Sequence, residues 1–196
     1  GHSRYLWSAE IYVGANHYGR YLTHGSMEIL ADSSADEISS FGSGYSVDGY
    51  DWCHIPGTTA AARPMEDMKA VVLNVDKFSG YEEMLLSDQW FAGAVVHGKA
   101  ESSDKGKYGA YAMILHENDK YNGSLCAHKS YFAFDNRIIC LGSGLCNSLP
   151  SSELHTTLFQ NRIDENSCGS INGKPFCPTD TCAVLSGVSC IRDRFG

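Results

Sequence analysis

The chain has no run of basic residues. Its 15 Lys and Arg never stand side by side, and 23 Asp and Glu outweigh them for a net charge of -8. Nothing in such a sequence can track a phosphate backbone, which argues against nucleic acid as the partner. It also lacks any stretch near the roughly 20 apolar residues that cross a bilayer as a helix, so no membrane partner is expected. There is no Cys-x-x-Cys pair, which weighs against a zinc site. Sustained helical periodicity is scarce, and only five Pro interrupt the chain.

What is present points to β-structure. The 196 residues can bury a good core in one or two domains. The 43% apolar content is that of a globular protein, and 20 Gly with 11 Tyr suit strands and turns. Eight Cys is a high and even count, with four of them at 168, 177, 182 and 190. The preferred reading is disulfides in a secreted or periplasmic protein, with free thiols as the plainer alternative. Eight cysteines allow about 105 pairings, so none is assigned. Asn122-Gly123-Ser124 fits a glycosylation acceptor, a motif common by chance. The first residues read like the middle of a strand and the last stop without punctuation, as expected of a fragment or a processed chain.

Strand and turn signals recur about every ten residues. Strands are expected over residues 5–13, 27–31, 69–75, 91–96, 108–116, 130–134, 137–141 and 154–160, with one short helical turn over 82–89. Residues 32–49, rich in Ser, Gly and Asp, read as a long loop. Pro56-Gly57, Asp135-Asn136 and Asn172-Gly173 signal tight turns, and Gly142-Ser143-Gly144 is expected to end the hairpin around Asp135-Asn136. This spacing predicts an all-β fold, an antiparallel β-sandwich with few or no helices. The whole of 1–196 is read as one domain, with a weak boundary near residue 60 where the aromatic-rich segment ends. Asp32, Asp36 and Asp48 could take Ca²⁺, but their spacing lacks the EF-hand pattern and a solvated loop is the plainer reading.

The chemistry concentrates in the first 25 residues. Glu10 lies among Arg4, Tyr5, Trp7, Tyr12, Asn16, His17, Tyr18, Arg20, Tyr21 and His24. Aromatic rings offer flat apolar faces to sugars, Arg pairs bidentately with carboxylate or sulfate, and His moves protons near neutral pH. That mixture suits an anionic polysaccharide. A structural salt bridge from Glu10 to Arg4 or Arg20 is the bland alternative, and the tyrosines could be ordinary sheet aromatics. His17 and His24 lack a third ligand at this spacing and are poor metal ligands. Trp52 reads as a core anchor beside Pro56-Gly57.

An ordered series of short motifs adds to this. Trp7-Ser8-Ala9-Glu10-Ile11-Tyr12, Asn16-His17-Tyr18-Gly19-Arg20-Tyr21 and His24-Gly25 come first. Gly49-Tyr50-Asp51-Trp52, Pro56-Gly57-Thr58-Thr59, Lys107-Tyr108-Gly109 and His128-Lys129-Ser130 follow. Asp135-Asn136-Arg137-Ile138-Ile139, Leu141-Gly142-Ser143, Thr156-Thr157-Leu158-Phe159-Gln160 and Ile171-Asn172-Gly173-Lys174 complete it. The set resembles the central domain of chondroitin sulfate ABC lyases, with Cys53-His54 departing from the family's usual Asn and basic residue. The resemblance implies a β-sandwich that follows a helical toroid domain, acting on chondroitin sulfate, dermatan sulfate and sometimes hyaluronan. It implies β-elimination next to a uronic acid, with Glu10 as the catalytic carboxylate and a Tyr, His and Arg supplied by the upstream helical domain. Arg20, Tyr12, Asn16, His17, Tyr18, Tyr21 and His24 are the candidate substrate-binding residues, and no cofactor beyond a possible Ca²⁺ is expected. The alternative is a non-catalytic carbohydrate-binding or structural sandwich on the same scaffold.

Overall fold

The structure is a computed structural model. It describes residues 20–28, 43–69, 89–97, 108–118, 124–134, 137–149, 152–162, 168–177, 187 and 189–192. Among these residues regular structure is almost wholly antiparallel strand, with two short 3-10 helices at Arg20–His24 and Met65–Met68. The chain separates into two compact units, one of residues 1–27 and 51–159, the other of residues 28–50 and 160–196.

The first unit is built on a four-stranded meander. Strands β2 (Gln89–His97), β3 (Tyr108–His116), β4 (Cys126–Phe134) and β5 (Arg137–Cys146) lie side by side in sequence order. Every neighbour is antiparallel, as short connections between consecutive strands dictate. The expected strand over 108–116 is observed with those bounds, and that over 91–96 is longer by two residues at its start and one at its end. Phe134 pairs with Arg137, so the Asp135-Asn136 signal marks a two-residue connection.

Alternation along these strands sorts the faces. Ala92, Met113, Leu115 and Ala127 turn inward and, with Leu125, form the core cluster; Tyr111 and Leu154 pack against it. Cross-strand register explains the grouping, because Ala92 lies opposite Met113 and Leu115 opposite Ala127. Lys129, opposite Met113, and Tyr131, opposite Tyr111, occupy alternate positions of β4 that share the inward face.

The expected stop at Gly142-Ser143-Gly144 is corrected. Strand β5 runs on to Cys146, because one extra residue forms a bulge between the pairs His128–Ser143 and Cys126–Cys146. Gly144 takes the left-handed conformation there (φ 60°), which glycine adopts without a Cβ penalty. The bulge restores register so that Cys146 faces Cys126, and these two form a disulfide with Cα atoms 5.2 Å apart. A second small sheet pairs β1 (Thr59–Ala61) with β6 (Leu154–Thr156). The strand expected over 154–160 is thus only three residues long; Thr157 leaves the ladder to bond the turn at Gly57. Residues 27 and 28 carry no regular structure, and the rest of the expected 27–31 strand lies outside the described residues, as do 5–13 and 70–75. Of the helical turn expected over 82–89, residues 82–88 also lie outside, while Gln89 opens β2. Trp52 is half-buried, and the enclosed side chain of its segment is Ile55.

The second unit holds a three-stranded sheet in the order β8 (Lys174–Phe176), β7 (Gly169–Ile171), β9 (Ile191–Arg192). Asn172 and Gly173, both at positive φ, turn β7 into β8 as the sequence predicts. The Asn172 side chain also accepts from the Cys190 amide at 2.7 Å, tying the turn to the approach to β9. Cys168 and Cys177 flank this hairpin with their sulfur atoms 3.5 Å apart.

That proximity predicts a second disulfide under oxidising conditions. Each thiol gives up a proton and an electron to glutathione disulfide or dissolved oxygen, and the S–S bond closes a short loop stabilising the fold by roughly 2.5 kcal/mol. Peptide mapping without reductant should recover a 168–177 cross-link. Full alkylation of both thiols by iodoacetamide in air-oxidised protein would contradict it.

Candidate functional site

Four of the sequence motifs converge on one junction. The 3-10 helix Arg20–His24 delivers His24-Gly25 against the Pro56-Gly57 turn, where the Met27 amide donates to the Pro56 carbonyl at 2.8 Å. The Gly57 amide donates to the Thr157 carbonyl at 2.8 Å, and the Thr157 amide to the Thr58 carbonyl at 3.1 Å. Thr59 and Thr156 share a hydroxyl hydrogen bond of 2.9 Å. The His24 ring bonds the Thr59 carbonyl through Nδ1 at 3.0 Å.

Two side chains of β4 reach this junction from the sheet. Lys129 Nζ donates to the His24 and Gly57 carbonyls, the first at 2.9 Å. Tyr131 Oη donates to the Gly25 carbonyl at 2.7 Å and lies 3.3 Å from that of Gly57. The two glycines are required by space as well as by backbone. Gly57 has φ 82°, and a Cβ there would stand 2.7 Å from the Met27 nitrogen; a Cβ on Gly25 would collide with the Tyr131 hydroxyl.

Burial sets the electrostatics. Desolvation lowers the Lys129 ammonium to a pKa of about 8, partly opposed by Cys140 on the neighbouring strand. A neutral amine still offers two N–H donors, matching the two carbonyls it holds. Desolvation raises Tyr131, with Cys140 and Tyr111 adding to it, so its hydroxyl stays a donor. Cys140 is itself raised by burial.

A pH dependence follows. An unfolded Lys holds its proton up to about 10.4, whereas Lys129 in the fold releases it near 8. Between pH 8 and 10 the unfolded state therefore binds more protons, and stability rises with pH through this group. Denaturant titrations should show wild type gaining on Lys129→Met across that window, by a few kcal/mol at most. A constant difference between the two from pH 7 to 10 would contradict the assignment.

The candidate residues distribute as follows. Tyr21 and His24 lie on the 3-10 helix, fully enclosed (0% exposed), with ring centroids 4.7 Å apart. They lie behind the surface, where they shape the backbone that follows the first segment. Arg20 opens the helix. Glu10, Tyr12, Asn16, His17 and Tyr18 lie outside the described residues, as do Asp32 and Asp36 of the acidic loop. Asp48 is exposed on a turn, its amide bonded to the Ser46 hydroxyl at 3.3 Å. No group of three or more His, Cys, Asp or Glu able to hold a metal ion occurs among the described residues.

Sequence reasoning missed three arrangements. Lys129 reads only as part of a motif before a strand and Tyr131 as an ordinary strand residue, and only their partners at separations of over 70 residues reveal their role. Glu117, fully buried, is paired with Arg63 at 2.9 Å, across 54 residues of sequence. Asp51, His54, His155 and Glu153 form a hydrogen-bonded row spanning the segment before β1 and strand β6. Asp51 and His54 are three apart, a local signal; nothing local announces the link to His155.

Comparison with known proteins agrees with this architecture. The super-sandwich domain of polysaccharide lyase family 8 matches residues 2–177. The chain is 48% identical over 160 residues, 82% of its length, to a chondroitin sulfate ABC exolyase of Bacteroides thetaiotaomicron. It is 40% identical along all its length to the chondroitin sulfate ABC exolyase of Proteus vulgaris. It is 32% identical over 161 residues, 81% of its length, to a chondroitin sulfate ABC endolyase of Proteus vulgaris. It spans 15%, 18% and 14% of those three relatives, respectively. With antiparallel sheets throughout its described residues and a family match over nearly all its length, the chain belongs to polysaccharide lyase family 8, as its super-sandwich domain.

Proposed function

We propose that this domain serves a lyase that cleaves chondroitin or dermatan sulfate by β-elimination, and that it supplies Glu10 to the reacting site. The observation that carries the reading is the identity to chondroitin sulfate ABC lyases over most of the chain. The meeting of four of the sequence motifs at one junction supports it.

The chemistry accounts for the residue types. The proton at C5 of the uronic acid is poorly acidic while the neighbouring carboxylate is charged. Positive and hydrogen-bonding groups that neutralise this carboxylate stabilise the enolate-like intermediate. The glycosidic oxygen then leaves with a proton, and a double bond forms in the uronic acid ring. In this reading a Tyr, His and Arg come from an upstream helical domain, and Glu10 orients them. Arg20, Tyr12, Asn16, His17 and Tyr18 line the sugar groove. Tyr21 and His24 are enclosed and brace the Arg20–His24 backbone from within. Secretion or periplasmic export suits an extracellular polymer and the Cys126–Cys146 disulfide.

The test is product chemistry. The full-length protein, given chondroitin sulfate, should release unsaturated oligosaccharides that absorb in the near ultraviolet. Release of saturated, reducing-end products would place it among hydrolases. Saturable, salt-sensitive binding without any product would favour the non-catalytic glycan-binding sandwich instead.

A further inference from the structure

The Arg20–His24 helix ends in carbonyls that its own backbone cannot satisfy, as helix ends do. Two side chains of β4 take up those that follow. Lys129 Nζ donates to the His24 carbonyl at 2.9 Å, and Tyr131 Oη to the Gly25 carbonyl at 2.7 Å. Both also reach the Gly57 carbonyl, Tyr131 at 3.3 Å. The helix end and the Pro56-Gly57 turn therefore share one pair of donors. Gly25, at φ 88°, leaves room for this approach, since a Cβ there would lie 3.0 Å from Lys129 Nζ.

Stability alone does not call for a lysine at this place. Burying an amine costs free energy that burying a methionine does not, and Lys129 is 5% exposed. The cost shows in its ammonium, which desolvation lowers to about 8. What the lysine supplies is geometry, because it fixes two carbonyls from segments distant in sequence. After it loses its proton, two N–H groups remain for two carbonyls, so the hold persists on either side of that pH. At the other end of the same five-residue helix stands Arg20, the candidate for pairing with a sugar carboxylate or sulfate. One short helical turn transmits a shift at its last carbonyl to its first residue.

We propose that Lys129, assisted by Tyr131, is a positioning residue for substrate binding, which by capping the Arg20–His24 helix sets where Arg20 meets the anionic sugar. This rests on the lyase reading above and deepens it. Lys129 does not touch the sugar; it acts through Arg20. Bidentate pairing of a guanidinium with a carboxylate or sulfate tolerates little displacement. A misplacement of about 1 Å costs on the order of 10²-fold.

A double-mutant cycle on the full-length protein tests this, with chondroitin sulfate as substrate and unsaturated product as the readout. Lys129→Met should raise KM about 10–100-fold and change kcat far less. Arg20→Ala should raise KM comparably, and the double variant should be no worse than Arg20→Ala, since the clamp then has nothing to place. Tyr131→Phe removes one hydroxyl and keeps the ring, so it should raise KM several-fold and lose that effect in the Arg20→Ala background. Effects of Lys129→Met and Arg20→Ala that multiply, or a wild-type KM in folded Lys129→Met, would overturn the clamp. Should Lys129→Met fail to fold, the Tyr131→Phe cycle decides by the same criterion. Wild type that binds chondroitin sulfate without releasing product would defeat the lyase reading alone, and the same cycle in dissociation constants then decides the clamp. Wild type that does not bind the polymer overturns both.

Discussion

On the proposed role, replacing Glu10 by Gln in the full-length protein is expected to lower turnover on chondroitin sulfate by about 10²–10⁴-fold, the range of a positioned acid–base group. Gln keeps the shape and one carbonyl acceptor but removes the negative charge that would orient a His and Arg network. The loss should appear in kcat, because Arg20 and the aromatic groups proposed to hold the sugar are unchanged, and KM should move little. The thermal melt should stay within a degree or two of wild type if Glu10 acts on the reaction. A variant with full turnover would remove Glu10 from the chemistry, and a variant that loses activity only by unfolding would return it to the structural salt bridge.

The second large effect concerns stability. Glu117 is fully buried and its carboxylate meets the Arg63 guanidinium at 2.9 Å. Its amide also closes the turn between β3 and β4 by donating to the Leu125 carbonyl. Arg63→Met removes the cation and leaves a buried negative charge beside the core, which costs about 3–5 kcal/mol. Glu117→Leu combined with Arg63→Met should recover much of that loss, because the pair's own desolvation penalty disappears with it. Chemical denaturation of the two variants measures both numbers. A loss below about 1 kcal/mol for Arg63→Met would show that the ion pair does not hold β1 to the meander.

The parts of the fold that were legible in the sequence are those set by local chemistry. The strand over 108–116 and the pairing of Phe134 with Arg137 follow from alternation and a hairpin signal, and the Asn172-Gly173 turn follows from residues that tolerate positive φ. Gly142-Ser143-Gly144 misled because the same glycine that ends a hairpin also permits a bulge, and only the partner strand decides between them. The strand expected to reach residue 160 stops at Thr156 because the Pro56-Gly57 turn captures Thr157. Of the candidate site, the motif residues His24-Gly25, Pro56-Gly57, Lys129 and Thr156-Thr157 were visible as a series. Their meeting at one junction was not, since it depends on a buried Lys and Tyr reaching across the core. The His54–His155 contact, 101 residues apart in sequence, was hidden for the same reason.

The central claim is that this sandwich turns a single carboxylate toward a bound anionic sugar. A crystal structure of the full-length protein with a chondroitin sulfate oligosaccharide tests it most directly. The account predicts Glu10 in the groove, within hydrogen-bond reach of a Tyr, His or Arg contributed by the upstream domain. Glu10 on the opposite face of its strand, with the sugar held elsewhere, would contradict it.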